Sequence, residues 1–122
     1  MMKTKIQLLE KQVAKKNEVV KINQEFDYGY KHLKGVAVLS SIGEGHVFRS
    51  FNISNMELFP KNFEVDFLQS NASVTPNERF FKVDDIADGK KMEIDFIDSG
   101  KAPIYPYKLK IYLLLTDTTD ES

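Results

Sequence analysis

Apolar and polar residues alternate along most of this chain. Val20, Ile22 and Phe26 are interleaved with Lys21, Asn23 and Glu25, and Met92, Ile94 and Phe96 with Lys91, Glu93 and Asp95. Phe63, Val65 and Phe67 likewise alternate with Glu64 and Asp66. A two-residue period puts each set on one face of a β-strand. HVFRSFNI (46–53) predicts a strand with Val47, Phe51 and Ile53 on one side and Arg49 intruding, and RFFKV (79–83) sets Phe81 and Val83 opposite Phe80. GVAVLSSI (35–42) is a continuous apolar run and predicts a strand covered on both faces. The strongest pattern is IYPYKLKIYLLL (104–115), with Tyr105, Tyr107, Leu109, Ile111, Leu113 and Leu115 on one side. Its other side begins with Pro106, Lys108 and Lys110 but ends with Tyr112 and Leu114, two residues in need of cover.

Turn chemistry separates these runs: IGEG (42–45), FPKN (59–62), TPNE (75–78), ADGK (87–90) and SGKAP (99–103). About seven or eight short strands at this spacing predict an all-β, antiparallel β-sandwich or barrel. The first 17 residues read differently. Met2, Ile6, Leu9 and Val13 form one stripe of an amphipathic helix, the alternative being an extended strand that uses Ile6 and Leu8. The chain therefore divides into an N-terminal arm (1–17), a β-sandwich domain (18–116) and a short acidic tail (117–122). Ile6, Leu9 and Val13 on the arm, and Tyr112 and Leu114 on the last strand, are candidate assembly contacts, joined by the basic pair Lys15 and Lys16.

Composition narrows the picture. A chain of 122 residues suits one domain with a single core, and nine Phe with five Tyr and no Trp make that core aromatic and aliphatic. With no cysteine, disulfides, thiolate metal sites and cysteine nucleophiles are excluded. The N-terminal stretch MMKTKIQLLEKQVAKK has neither the apolar run nor the cleavage site of a signal peptide, and no stretch is apolar enough for a membrane-spanning helix. The net charge of −1 hides an uneven distribution, +4 over residues 1–21 against −3 over residues 117–122. Solvated ends or contact with an acidic surface both fit this distribution.

No catalytic signature emerges, and no cofactor is implied. His32 and His46 lie beside predicted strand ends and read as exposed loop histidines; no third His or Cys is present for a typical zinc site. DDIADGKKMEID resembles a calcium loop around Asp88 and Gly89, but Ile86 occupies a ligand position and Asp95 stands where a bidentate glutamate belongs. GEG (43–45) leads into a strand rather than the helix a phosphate-binding loop requires. Tyr28, Tyr30, Tyr105 and Tyr107 are candidates for stacking on sugars, which keeps a carbohydrate- or ligand-binding sandwich as the alternative function.

The polar arm, the series of short strands linked through ELFPKNFEVDFLQSNASVTPNERFFKVDD, and the closing APIYPYKLKIYLLLT together resemble the single jelly-roll capsid proteins of tailless icosahedral phages. The likeness is to vertex or penton proteins of membrane-containing phages built from double jelly-roll major capsid proteins. It spans roughly residues 18–116 and carries no diagnostic motif. It implies a non-enzymatic structural protein of the virion, made in the host cytoplasm and assembled at shell vertices with cyclic symmetry as a homopentamer. Its partners would be itself and other capsid proteins, with the basic arm touching anionic lipid or nucleic acid. On that picture Tyr112 and Leu114 are covered by the arm or by a neighbouring copy.

Overall fold

A computed structural model describes residues 4–39, 43–70, 80–87 and 90–117. The turn at 75–78, Asp88 and Gly89, Met2 and the acidic tail beyond Asp117 lie outside the described residues. The described chain is all-β, with ten strands: β1 (Thr4–Val13), β2 (Val19–Glu25), β3 (His32–Leu39), β4 (Val47–Ile53), β5 (Met56–Phe59), β6 (Phe63–Glu64), β7 (Gln69–Ser70), β8 (Phe81–Ile86), β9 (Lys91–Ile97) and β10 (Tyr107–Thr116). A 3₁₀ turn, Val65–Leu68, replaces most of the strand predicted around Phe63–Phe67 and buries Val65 and Leu68.

The strands form a β-sandwich of two sheets. One runs β1-β10-β3, with β8 and the short β7 both on β3; the other runs β2-β9-β4-β5, with β6 also on β4. The longer strands pair in a nested order: β1 with β10, β2 with β9, β3 with β8 and β4 with β5, all antiparallel. Between the sheets lie Phe26, Phe48, Phe51, Phe96, Met92, Ile94 and the inward row Leu109, Ile111, Leu113 and Leu115, all essentially inaccessible to water. Phe48, Phe51 and Phe59 meet edge to face at 5.2 Å, a favoured aromatic geometry.

Local chemistry accounts for the departures from simple alternation. In β4 the pairing with β9 shifts between Phe48 and Ser50, so Phe48 rather than Val47 joins Phe51 and Ile53 in the core. A two-residue turn, Ser54–Asn55, joins β4 to β5, with both residues at positive φ (49° and 69°) as a type I′ hairpin requires.

The N-terminal segment differs most from the helical stripe. Thr4–Val13 is a strand, paired with β10 at ten consecutive positions from Thr4 opposite Thr116 to Val13 opposite Tyr107. Leu9 and Val13 face the core and are buried; as core residues they are not surface contacts of the folded chain, which corrects that expectation. Ile6 and Leu8 face outward. Gln7 is buried at the join between sheets: its Nε2 donates to the Glu25 carbonyl and its Oε1 accepts the Asp27 N–H, both at 3.0 Å. That side chain ties β1 to the end of β2 where no ladder connects them.

Candidate functional site

Two regions stand out. The first lies at the end of the sandwich where the β1–β2 turn, the approach to β4 and the β9–β10 loop converge, and its centre is Asp98. This carboxylate is buried yet accepts four hydrogen bonds. Oδ1 takes the Tyr107 hydroxyl at 2.5 Å, and Oδ2 takes the Tyr105 hydroxyl at 2.7 Å, the Gly100 N–H at 2.8 Å and the Asn17 N–H at 2.9 Å. Burial is the largest influence on its ionisation and pushes the pKa up. The hydrogen bonds from Tyr107, Tyr105, Asn17 and Gly100 together outweigh it and hold the carboxyl below its ordinary value. Burial, then the bond to Asp98, pushes the Tyr107 hydroxyl up, so it stays a proton donor.

His46 belongs to the same cluster and is fully buried, which corrects its expectation as an exposed loop histidine. Its Nδ1 accepts the Ser99 N–H at 3.0 Å and therefore carries no proton, so the Asp98 Oδ1 atom 3.5 Å away is a neighbour rather than a hydrogen-bond partner. The ring packs against Phe96 and Tyr107 at centroid distances of 5.3 and 5.9 Å. Ser99 extends the frame by donating its hydroxyl to the Glu44 carbonyl at 2.6 Å. Gly43 lets two loops touch: at φ 91° a Cβ there would sit 2.7 Å from the Lys101 carbonyl oxygen. The cluster resembles an acid-base site in composition, but its polar groups are spent on one another and on backbone. What this arrangement does is fix three loops as one rigid end.

The second region is the outer face of the β1–β10–β3 sheet. Register places Ile6 beside Leu114 and Leu8 beside Tyr112, so four apolar side chains form one block across two strands. Ile6 and Leu8 are 54% and 44% exposed, and Tyr112 and Leu114 are half-buried. The expected assembly contacts Ile6, Tyr112 and Leu114 are thus brought together, with Leu8 added. Lys15 and Lys16 are exposed in the turn at the far end of β1 and do not join them. Along the strands the block gives way to Glu10 beside Lys110 and Gln12 beside Lys108, with Lys108 Nζ 3.2 Å from Glu10. The outer face of the other sheet is different. Apart from Val19, Ile97 and Val47 at one end, it carries Lys21, Asp95, Arg49, Asn23, Glu93, Glu25 and Lys91, with Asp95 bridging Lys21 at 3.1 Å and Arg49 at 3.0 Å.

His32 is part of β3 rather than of a loop and is only partly exposed, a further correction. It lies opposite Thr116, and the His32 Nδ1 and Thr116 Oγ1 atoms are both buried without a hydrogen-bond partner. The four tyrosines proposed as a stacking platform are split. Tyr28 and Tyr30 lie in the β2–β3 connection at one end, while Tyr105 and Tyr107 point their hydroxyls at Asp98 at the other. Among the described residues no three His, Asp or Glu side chains gather as a metal site, and no helix is long and apolar enough to cross a membrane. Comparison with protein-family models, with curated proteins and with solved structures gives no match to this chain.

Proposed function

We propose that this chain is a non-enzymatic building block of a virus shell, a single jelly roll that acts by meeting copies of itself and other coat proteins through fixed surfaces. The observation that carries this reading is the strand order. Eight strands paired first with last, second with seventh, third with sixth and fourth with fifth, then closed by β10 on β3 and β9 on β4, describe a ribbon rolled into two facing sheets. Viral capsid domains, lectins and cupins share that architecture. A cupin-like role calls for a ligand inside the sandwich, and here the interior is packed with Phe, Leu and Ile. A lectin-like role on the tyrosine platform loses its geometry, because those residues occupy opposite ends.

A shell protein needs a rigid body and surfaces that prefer protein to water. The Asp98 cluster supports the first requirement and the apolar block on β1 and β10 the second. Native mass spectrometry of the purified chain across micromolar concentrations tests the reading. A closed oligomer is expected, and a five-membered ring would match a vertex position. A monomer at every concentration that binds glycan saturably overturns it in favour of the carbohydrate-binding alternative.

A further inference from the structure

We propose that the outer face of β1 and β10 is where two copies of this chain pack face to face about a two-fold axis parallel to the strands. This rests on the self-associating function proposed above and adds a specific contact to it. The face is apolar enough to favour cover: Ile6, Leu8, Tyr112 and Leu114 form one block, whereas most of the opposite outer face of the sandwich is charged.

Two routes to covering that block compete, lateral addition of a strand to the free edge of β1 or stacking of a second sheet on its face. The edge is guarded. Lys5 and Lys11 lie on the inward-facing side of β1 at the rim, a placement that opposes strand addition, and Lys5 is held by Asp27 at 2.8 Å. On the face, Phe80 sits over Gly35, opposite Leu114, and covers the β3 margin, whereas Ile6 and Leu8 on β1 are open, so a stacked sheet meets the β1–β10 pair rather than β3. Sheets pack about 10 Å apart with strand directions nearly aligned.

The charges select a second copy as occupant. Ile6 and Leu114, Leu8 and Tyr112, and Glu10 and Lys110 each occupy the same level on the two strands. A two-fold axis between β1 and β10 exchanges the members of every pair. Ile6 then lies over the partner's Leu114, Leu8 over the partner's Tyr112, and Glu10 over the partner's Lys110, with each contact repeated by symmetry. Lys110, which has no carboxylate partner among the described residues because Glu10 turns to Lys108, gains one across the interface. The face is therefore complementary to its own copy in both apolar and charged positions.

Sedimentation equilibrium with charge-swapped chains tests this contact. Glu10→Lys puts like charges opposite each other in its homodimer, and so does Lys110→Glu; each alone is expected to weaken association by about tenfold or more. Mixing the two variants places Lys opposite Glu at both symmetric positions, and association of the mixture should return towards the wild-type level. No effect on the fold of either monomer can produce that rescue, since each chain keeps its own substitution. Leu8→Lys, at an exposed position, should weaken association by a similar factor with an unchanged circular dichroism spectrum. Wild-type chains that associate while the variants behave like them, or a mixture that fails to recover, overturn the contact and leave the shell-protein function standing. Wild-type chains that stay monomeric overturn the two-fold contact, and saturable glycan binding by that monomer overturns the shell-protein function as well.

Discussion

Asp98 is the residue on which most of one end of the molecule depends. A buried carboxylate without partners would be neutral or would unfold its surroundings, but here two tyrosine hydroxyls and two backbone N–H groups keep it charged. Replacing it with Ala leaves four donors without their acceptor in a dry site, and breaking a buried charged network of this kind costs about 3–5 kcal/mol. Domains of this size are stable by only about 5–15 kcal/mol, so Asp98→Ala should remove a large share of the stability and lower the melting temperature markedly, as followed by circular dichroism. Tyr107→Phe removes one charge-assisted bond and should lose about 1.5–3 kcal/mol. Because the folded carboxyl titrates below an unfolded aspartate (about 3.9), Asp98 contributes its full stability above about pH 4. That contribution is lost as pH falls through the folded value. Denaturant titrations below pH 4 should show a shallower acid loss for Asp98→Asn than for wild type; equal slopes would mean that the carboxyl is not depressed. Part of this was legible in the sequence, since Asp98-Ser99-Gly100 is a local turn in which the side chain bonds the N–H two residues on. The rest was not, because Asn17 lies 81 residues from Asp98, and His46 lies 53 residues from the Ser99 that it bonds, and no short-range pattern encodes such meetings.

At the scale of elements the N-terminal strand is the informative case. Its stripe of Met2, Ile6, Leu9 and Val13 suits a helix, yet the spacing of four between Leu9 and Val13 is even and suits a strand equally well. The interval of three between Ile6 and Leu9 decides the matter, since an odd step sends the two side chains to opposite faces, as observed. What the sequence could not display was the partner: β10 offers ten consecutive backbone positions, whereas an isolated helix of this length is marginal in water. Deleting residues 1–13 therefore removes a whole ladder and the burial of Leu9 and Val13, each side chain being worth about 1.5–3 kcal/mol. It also uncovers the edge of the most apolar strand. The truncated chain should melt far below the full-length protein or aggregate, as followed by circular dichroism and light scattering. A truncated chain with an unchanged melting temperature would show that β1 is a dispensable attachment.

At the scale of the whole molecule, β10 is a shared wall between folding and assembly. Its odd-numbered side, with Ile111 wholly buried, closes the core, while its even-numbered side carries Tyr112 and Leu114 into the outer block. Simple alternation made both sides readable from the sequence. What stayed hidden was that the N-terminal segment would widen the outer block rather than cover it. The two sides should respond to mutation in opposite ways. Ile111→Asp buries an unpaired charge and should abolish folding, whatever the protein concentration. Leu114→Lys adds its charge on the outer side, where its amine reaches solvent in the monomer, and should shift the dilute melting temperature by only a few degrees. The same substitution places a charge in the proposed two-fold contact, so its effect should appear as weaker association with rising concentration. Melting curves at low and high concentration, read beside sedimentation of the same samples, separate the two effects. A Leu114→Lys chain that melts at dilution as badly as Ile111→Asp would make the outer row part of the monomer's own core, and the face would then have no surface to offer a second copy.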